Sequence, residues 1–228
     1  MRDLLVKIAL RLGIYQRLVE CINRVKFEVQ ARRMSRDGLN MLAAAQEVFD
    51  HMHVRAFLTY GALLGAYRDK GFISYDPDVD LGILAHEIPE DLHEQMAKAG
   101  FQLHKQGVLA NGQVFEETYI YNKLHLDIFY YFLEGNDFYS IIARKHESKE
   151  WKEANATDGF PCDRSYVPAC EFEKREFLGL QVYMPTDTDG WLRAIYSDSY
   201  MTPIKNWSAK DYKTRIVHTA ERSYRKFF

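Results

Sequence analysis

The stretch Leu58-Thr-Tyr-Gly-Ala-Leu-Leu-Gly-Ala-Tyr-Arg-Asp-Lys-Gly-Phe-Ile-Ser-Tyr-Asp-Pro-Asp-Val-Asp-Leu-Gly-Ile83 decides how the chain is read. The apolar run Ala56 to Leu58 predicts a short strand that stops at Gly61. Ala62 to Arg68 can form a helical turn, the chain reverses through Lys70-Gly71, and a second apolar run carries Asp78 and Asp80. Strand residues two apart share a face, so Asp78 and Asp80 point one way and Val79 and Leu81 the other. Adjacent carboxylates repel, and a hard divalent cation with oxygen ligands, Mg2+ or Mn2+, is the natural partner between them. The expectation is a metal-dependent phosphoryl-transfer site.

Residues on either side of the carboxylates extend this reading. Gly61 and Gly65 leave backbone N–H groups at a helix start open to a phosphate, or else simply end a strand and allow close packing. Arg68 and Lys70, between the glycines and the acids, are suited to a nucleotide pyrophosphate, or else are solvated. Asp127, in Leu124-His-Leu-Asp-Ile-Phe129, is a charge inside an otherwise apolar strand, where burial without a partner costs several kcal/mol or so. It completes a cluster with Asp78 and Asp80, or else pairs with a buried arginine. As general base for an attacking hydroxyl, Asp127 is favoured over Asp76 and His125, because His125 is expected on the opposite side of its strand.

Farther out, 228 residues suit one domain with helical additions. The net charge of -2 hides a division. Residues 1–37 hold nine Lys or Arg against four acids, and the remainder 21 against 28. Leu18, Ile22, Val25 and Val29 recur at helical spacing, with Arg17, Arg24, Arg32 and Arg33 on other faces. Such a helix either lies on an anionic membrane or packs on the core with a solvated basic face. Gly13 separates it from a short helix, and a third helix is expected from Gly38 to His53. Cys21, Cys162 and Cys170 form no dense framework, which favours a reducing compartment. No uncharged run approaches a membrane span, and the first residues break their apolar run too often for a signal peptide. The expected setting is cytoplasmic.

Past the central stretch, a helix is expected between Pro89 and Gly100, then strands over 101–105, Val114 to Tyr121, Leu124 to Phe132 and Phe138 to Ala143. Residues 145–160 read as an excursion and Phe172 to Met184 as β structure. Asp187 or Thr188 is expected to cap a helix through Trp191 to Tyr196, and Ser208 a final basic helix. The order predicts an α+β fold, a mixed sheet flanked by helices.

The run Tyr60 to Asp80 resembles the signature of the LicD/fukutin-related phosphotransferase family. Leu126-Asp-Ile-Phe129, the strand from Phe177-Leu-Gly179 to Met184-Pro185, and Leu192 to Tyr196 through Tyr200-Met-Thr-Pro203 are similar in order. The resemblance covers about residues 38 to 207. It implies a nucleotidyltransferase-like fold with a helical extension over 1–37 and a catalytic domain over 38–228. It also implies Mg2+-dependent transfer of phosphocholine, ribitol phosphate or glycerol phosphate from a CDP-linked donor. The acceptor would be a glycan hydroxyl of a cell-surface polysaccharide or lipopolysaccharide precursor, often lipid-linked. The family's metal carboxylates fall on Asp78, Asp80 and Asp127, with Asp76 leading the run. Gly61, Ala62, Gly65, Arg68, Lys70 and Tyr75 fall on the substrate side. Three positions depart from the pattern. Ala62 replaces a hydroxyl residue, Tyr75-Asp-Pro-Asp replaces Trp-Asp-Asp-Asp, and Tyr196-Ser197 replaces Tyr-Gly.

Lipid-linked acceptors give residues 1–37 a use at the inner face of a membrane, and nothing in the chain points to nucleic acid. Cys162, Cys170 and His146 offer three zinc ligands at no compact spacing. Tyr75, Tyr130, Tyr131 and Trp207 offer either an aromatic cage for choline or ordinary core. Two other activities suit the same residues: transfer of NMP from NTP to a small molecule, and a non-catalytic glycan- or nucleotide-binding scaffold.

Overall fold

A computed structural model of the chain describes residues 15–204 and 215–228. Its first element is a single helix, α1 (Tyr15–His51), in place of the separate helices expected on either side of Ser35–Asp37. At 1.5 Å per residue it is ~55 Å long. Only its C-terminal half is anchored: Met34, Met41, Leu42, Ala45 and Phe49 recur at helical spacing and are buried against β2 (Asp78–Leu84) and β5 (Leu124–Glu134). The apolar stripe nearer its start is open instead, with Leu18, Ile22, Val25 and Val29 between 41% and 53% exposed. That stripe does not pack on the core. The residues around Gly13 lie outside the described part.

The short strand β1 (Phe57–Leu58) leads into α2 (Tyr60–Leu64), one turn continued by a wider π turn over Gly65–Asp69. After β2 come α3 (Leu92–Lys98), β3 (Gln102–Leu109), β4 (Val114–Tyr121), β5 and β6 (Asp137–Ala143). Leu92 and Met96 bury the inner face of α3, and Gly100 leaves it at a φ of 91°, a conformation that favours glycine. The excursion contains a short helix, α4 (Trp151–Ala156). It is followed by β7 (Phe160–Pro168), β8 (Phe172–Phe177), β9 (Leu180–Pro185) and α5 (Thr188–Tyr196), the last capped by Asp187, which accepts the Gly190 N–H at 3.0 Å. The chain from Ile216 to Phe227 is a strand, β10, not the basic helix expected there; Ser208 lies outside the described residues.

These strands form one mixed sheet in the order β4-β3-β10-β7-β6-β5-β2-β1-β9-β8. Because β4 also pairs with β5, the antiparallel pairings β5-β4-β3-β10-β7-β6 close into a circuit. From β5 the sheet continues through parallel β2, then β1, β9 and β8. The fold is therefore α+β, a large mixed sheet flanked by helices with a helix at its start. An aromatic knot locks β1, β5, β6, β8 and α5 together. Phe57 stacks on Phe172 at 4.0 Å, and the fully buried Trp191 lies 5.4–5.8 Å from Phe57, Tyr131 and Phe172. Gly82 is required here, since a Cβ on it would overlap the Phe57 ring.

Candidate active site

The parallel pairing of β2 with β5 decides what the acids can do. Its register sets Asp78 opposite His125 and Asp80 opposite Asp127. Paired residues on neighbouring strands share a face, so two carboxylates stand side by side with Asp78 two residues away. Asp76 joins them from the preceding turn, where its N–H donates to the Ile73 carbonyl at 2.9 Å. A cavity of about 420 Å³ opens over this cluster. Its lining includes Asp76, Asp78, Asp80 and Asp127 together with Gly61, Arg68 and Tyr75.

The electrostatics are those of crowded like charges. Burial raises the Asp80 carboxyl well above the usual range, and the charges of Asp78, Asp76 and Asp127 push it the same way. Asp78 is raised by burial and then by Asp76, with which it shares a hydrogen bond. Asp127 is raised by burial and by Glu116 and Asp78, an effect that Lys105 partly offsets. One Asp127 oxygen, Oδ1, is buried without a hydrogen-bond partner among the described residues. Among the described residues no arginine pairs with it.

The carboxylates are neighbours rather than a closed cage. Among the described residues no three His, Cys, Asp or Glu side chains stand grouped around one metal position. Asp80 Oδ2 instead accepts the Gly61 N–H at 3.1 Å. That donor is therefore engaged with a carboxylate, where a phosphate was expected. An oxygen-only donor set with an unpartnered buried oxygen nevertheless fits a hard divalent ion in chemistry.

Other expected residues divide cleanly. Arg68 reaches the cavity, held by two bonds to Asp69 at 2.7 and 2.8 Å and a third to the Tyr200 carbonyl at 3.3 Å. Ala62, Gly65 and Lys70 are not part of the lining. Ala62 is buried, and a Cβ on Gly65 would press on the Gly71 carbonyl, so that glycine serves chain packing. Lys70, at a φ of 56°, turns back to donate to the Tyr67 carbonyl at 2.8 Å. His125 shares the face of Asp127, not the opposite one, because the two lie two apart on one strand and β5 alternates in burial across them. Tyr130 and Tyr131 are core residues, Tyr131 bonded to the Thr59 hydroxyl at 2.6 Å, and Trp207 lies outside the described residues. Cys162, Cys170 and His146 form no metal group; the Cys162 thiol is buried on the Phe160 carbonyl, and His146 Nδ1 accepts two backbone N–H groups.

Several lining residues were not anticipated. Tyr60, Phe129, Tyr196, Tyr200 and, from α1, Phe27 add aromatic surface to the cavity. Phe129 was within reach of sequence reasoning, since it alternates with Asp127. Tyr60 is held at a φ of 41° with its hydroxyl 2.6 Å from that of Ser140, an unusual backbone for a bulky residue and typical of strained functional positions.

The mixed sheet flanked by helices is consistent with a nucleotidyltransferase-like fold. A family model described as LicD/FKTN/FKRP, nucleotidyltransferase domain, matches residues 53–187, and the chain belongs to this family. It is similar to the ribitol-5-phosphate transferase FKTN of Mus musculus, 27% identical over 185 residues, covering 80% of this chain and 37% of that protein. The Homo sapiens counterpart is 25% identical over the same extent. An uncharacterized protein of Rickettsia prowazekii is 29% identical over 160 residues, covering 69% of this chain and 53% of its own length. The chain thus spans between about a third and half of these relatives.

Proposed function

We propose that the protein transfers a phospho-alcohol from a CDP-linked donor to a glycan hydroxyl, with residues 38–228 as the catalytic unit. The observation that carries this reading is the Asp80–Asp127 register, two carboxylates side by side beneath an aromatic cavity that also holds Arg68. Asp78, Asp80 and Asp127 would hold Mg2+. The ion, when bound, neutralises phosphate charge as it develops. The aromatic walls suit a cytosine ring, and Arg68 offers a fixed cation to the donor's phosphates. The acceptor oxygen forms a bond to the phosphorus bearing the alcohol. The bridging P–O bond breaks with its electron pair leaving on CMP, and the hydroxyl proton passes to a carboxylate, Asp127 by preference and Asp76 otherwise.

The acceptor is proposed to be a cell-surface polysaccharide or lipopolysaccharide precursor, lipid-linked and met at the inner, cytoplasmic face of a membrane. No described helix is long and apolar enough to cross one. The exposed stripe of α1, flanked by Arg17, Arg24, Lys26, Arg32 and Arg33, has the composition of a helix that lies on an anionic surface. The test offers CDP-choline, CDP-ribitol and CDP-glycerol in turn with Mg2+. One of them should raise the melting temperature and release CMP on turnover. Pyrophosphate release from an NTP would favour nucleotidyl transfer, and binding without turnover a scaffold.

A further inference from the structure

In-line displacement puts the incoming hydroxyl opposite the leaving group. With the donor in the aromatic cavity, the acceptor must approach from the far side of the carboxylates, and there the sheet carries an unbroken row. Asp80 pairs with Asp127, Asp127 with Thr118, Thr118 with Lys105 and Lys105 with Phe227, so these five residues follow one another on one face of the sheet as it curves through β2, β5, β4, β3 and β10. Followed around the strand circuit at ~4.8 Å per strand, Phe227 is three strands, ~14 Å of sheet, from Asp127.

The chemistry changes along the row. Near the carboxylates it is polar: Thr118, itself buried, stands beside Asp127, while Lys105 bonds Glu116 at 2.9 Å and stays partly exposed. An irregularity in the β3–β4 pairing beside Lys105 turns His104 to the same side, its ring 6.4 Å from His125 and 6.0 Å from Phe227. At the outer end the row becomes aromatic. Phe227 is 49% exposed and meets the 44% exposed Trp151 of α4 at 5.7 Å. Large apolar side chains rimmed by polar ones on a surface mark a binding site.

We infer that this row is the acceptor track, binding an oligosaccharide whose hydroxyl edges meet the partly exposed His104 and Lys105 and whose apolar ring faces stack on Phe227 and Trp151. The inference rests on the transfer reading above and names the side from which the acceptor enters. A pyranose presents this combination, an apolar C–H face with hydroxyls around its rim, and a few placed polar groups beside an apolar platform are how such ligands are oriented.

The test presents the labelled full chain to a printed array of mono- to hexasaccharides and measures in parallel the melting shift given by CDP with Mg2+. The wild-type chain should bind a subset of the oligosaccharides. Phe227→Ala and Trp151→Ala should each weaken that binding about tenfold while leaving the CDP shift unchanged, and Phe227→Tyr should restore it. A blank array with the wild-type chain, or binding undiminished in both alanine variants, overturns the track. Sugar binding that depends on these aromatics, without any CDP shift, would instead sink the transfer reading and leave the track standing.

Discussion

Asp78 is a position at which a functional and a structural role predict opposite behaviour. Burial first, and then the charges of its acidic neighbours, raise its carboxyl, so ionising it opposes folding when no cation is supplied. In chelator, Asp78→Asn should raise the melting temperature by about 2–4 °C, the shift that about 1 kcal/mol makes in a chain of this size. With Mg2+ and donor, the same variant should lose at least about a hundredfold in transfer. Calorimetry and CMP release measure the two effects, and a lower melting temperature in chelator would make Asp78 a structural residue. The acids were legible because strand alternation is local: Asp78, Asp80 and Asp127 needed only a period of two. The Gly61 N–H bonded to Asp80 and the Arg68–Tyr200 contact were not, since each joins residues that only the finished fold brings together.

Helix α1 carries the boundary between what periodicity reveals and what it hides. Its spacing disclosed an apolar stripe at Leu18, Ile22, Val25 and Val29, but a stripe alone does not say what covers it. In the folded chain it is open, while Phe27 on another side of the same helix reaches the cavity. A chain lacking residues 1–37 should therefore float less with anionic liposomes than the full chain, and equal flotation would remove the membrane reading. The strands missed by sequence reading have a common cause. In β7, Pro161, Asp163 and Arg164 interrupt any apolar run, and in β10 the basic spacing of Arg222, Arg225 and Lys226 imitates a helix. Both owe their strand state to ladder partners far away in sequence, which override local preference.

At the scale of the molecule, one buried carboxylate ties α3 to the strand circuit. Glu117, 1% exposed, accepts bonds from His93 Nε2 at 2.6 Å, Gln106 Nε2 at 2.7 Å and the Tyr119 hydroxyl at 2.8 Å. Burial pushes the Glu117 carboxyl up, but these three donors outweigh it and leave it lowered; the bond to Glu117 raises His93. A lowered acid contributes stability above its unfolded value and loses it as pH falls through its folded one. A raised histidine contributes below its unfolded value and loses it as pH rises through its folded one. The pair thus contributes most between about pH 4.3 and 6.5, the two unfolded values. Thermal melts should show stability declining from about pH 6.5 upward, with the decline shallower in His93→Asn, while the share owed to the raised acids Asp78 and Asp127 remains.

The strand circuit has a consequence for how the molecule meets its own copies. A sheet that closes on itself at one end has only its other end left to guard, and that end is β8, which pairs on one side alone among the described residues. Along it the chain places Glu173, Lys174, Arg175 and Glu176 in succession, charges of both signs that a second strand could approach only by stripping water from them. Resistance to edge-to-edge pairing is in this way written into four consecutive residues, at the margin farthest in strand order from the circuit.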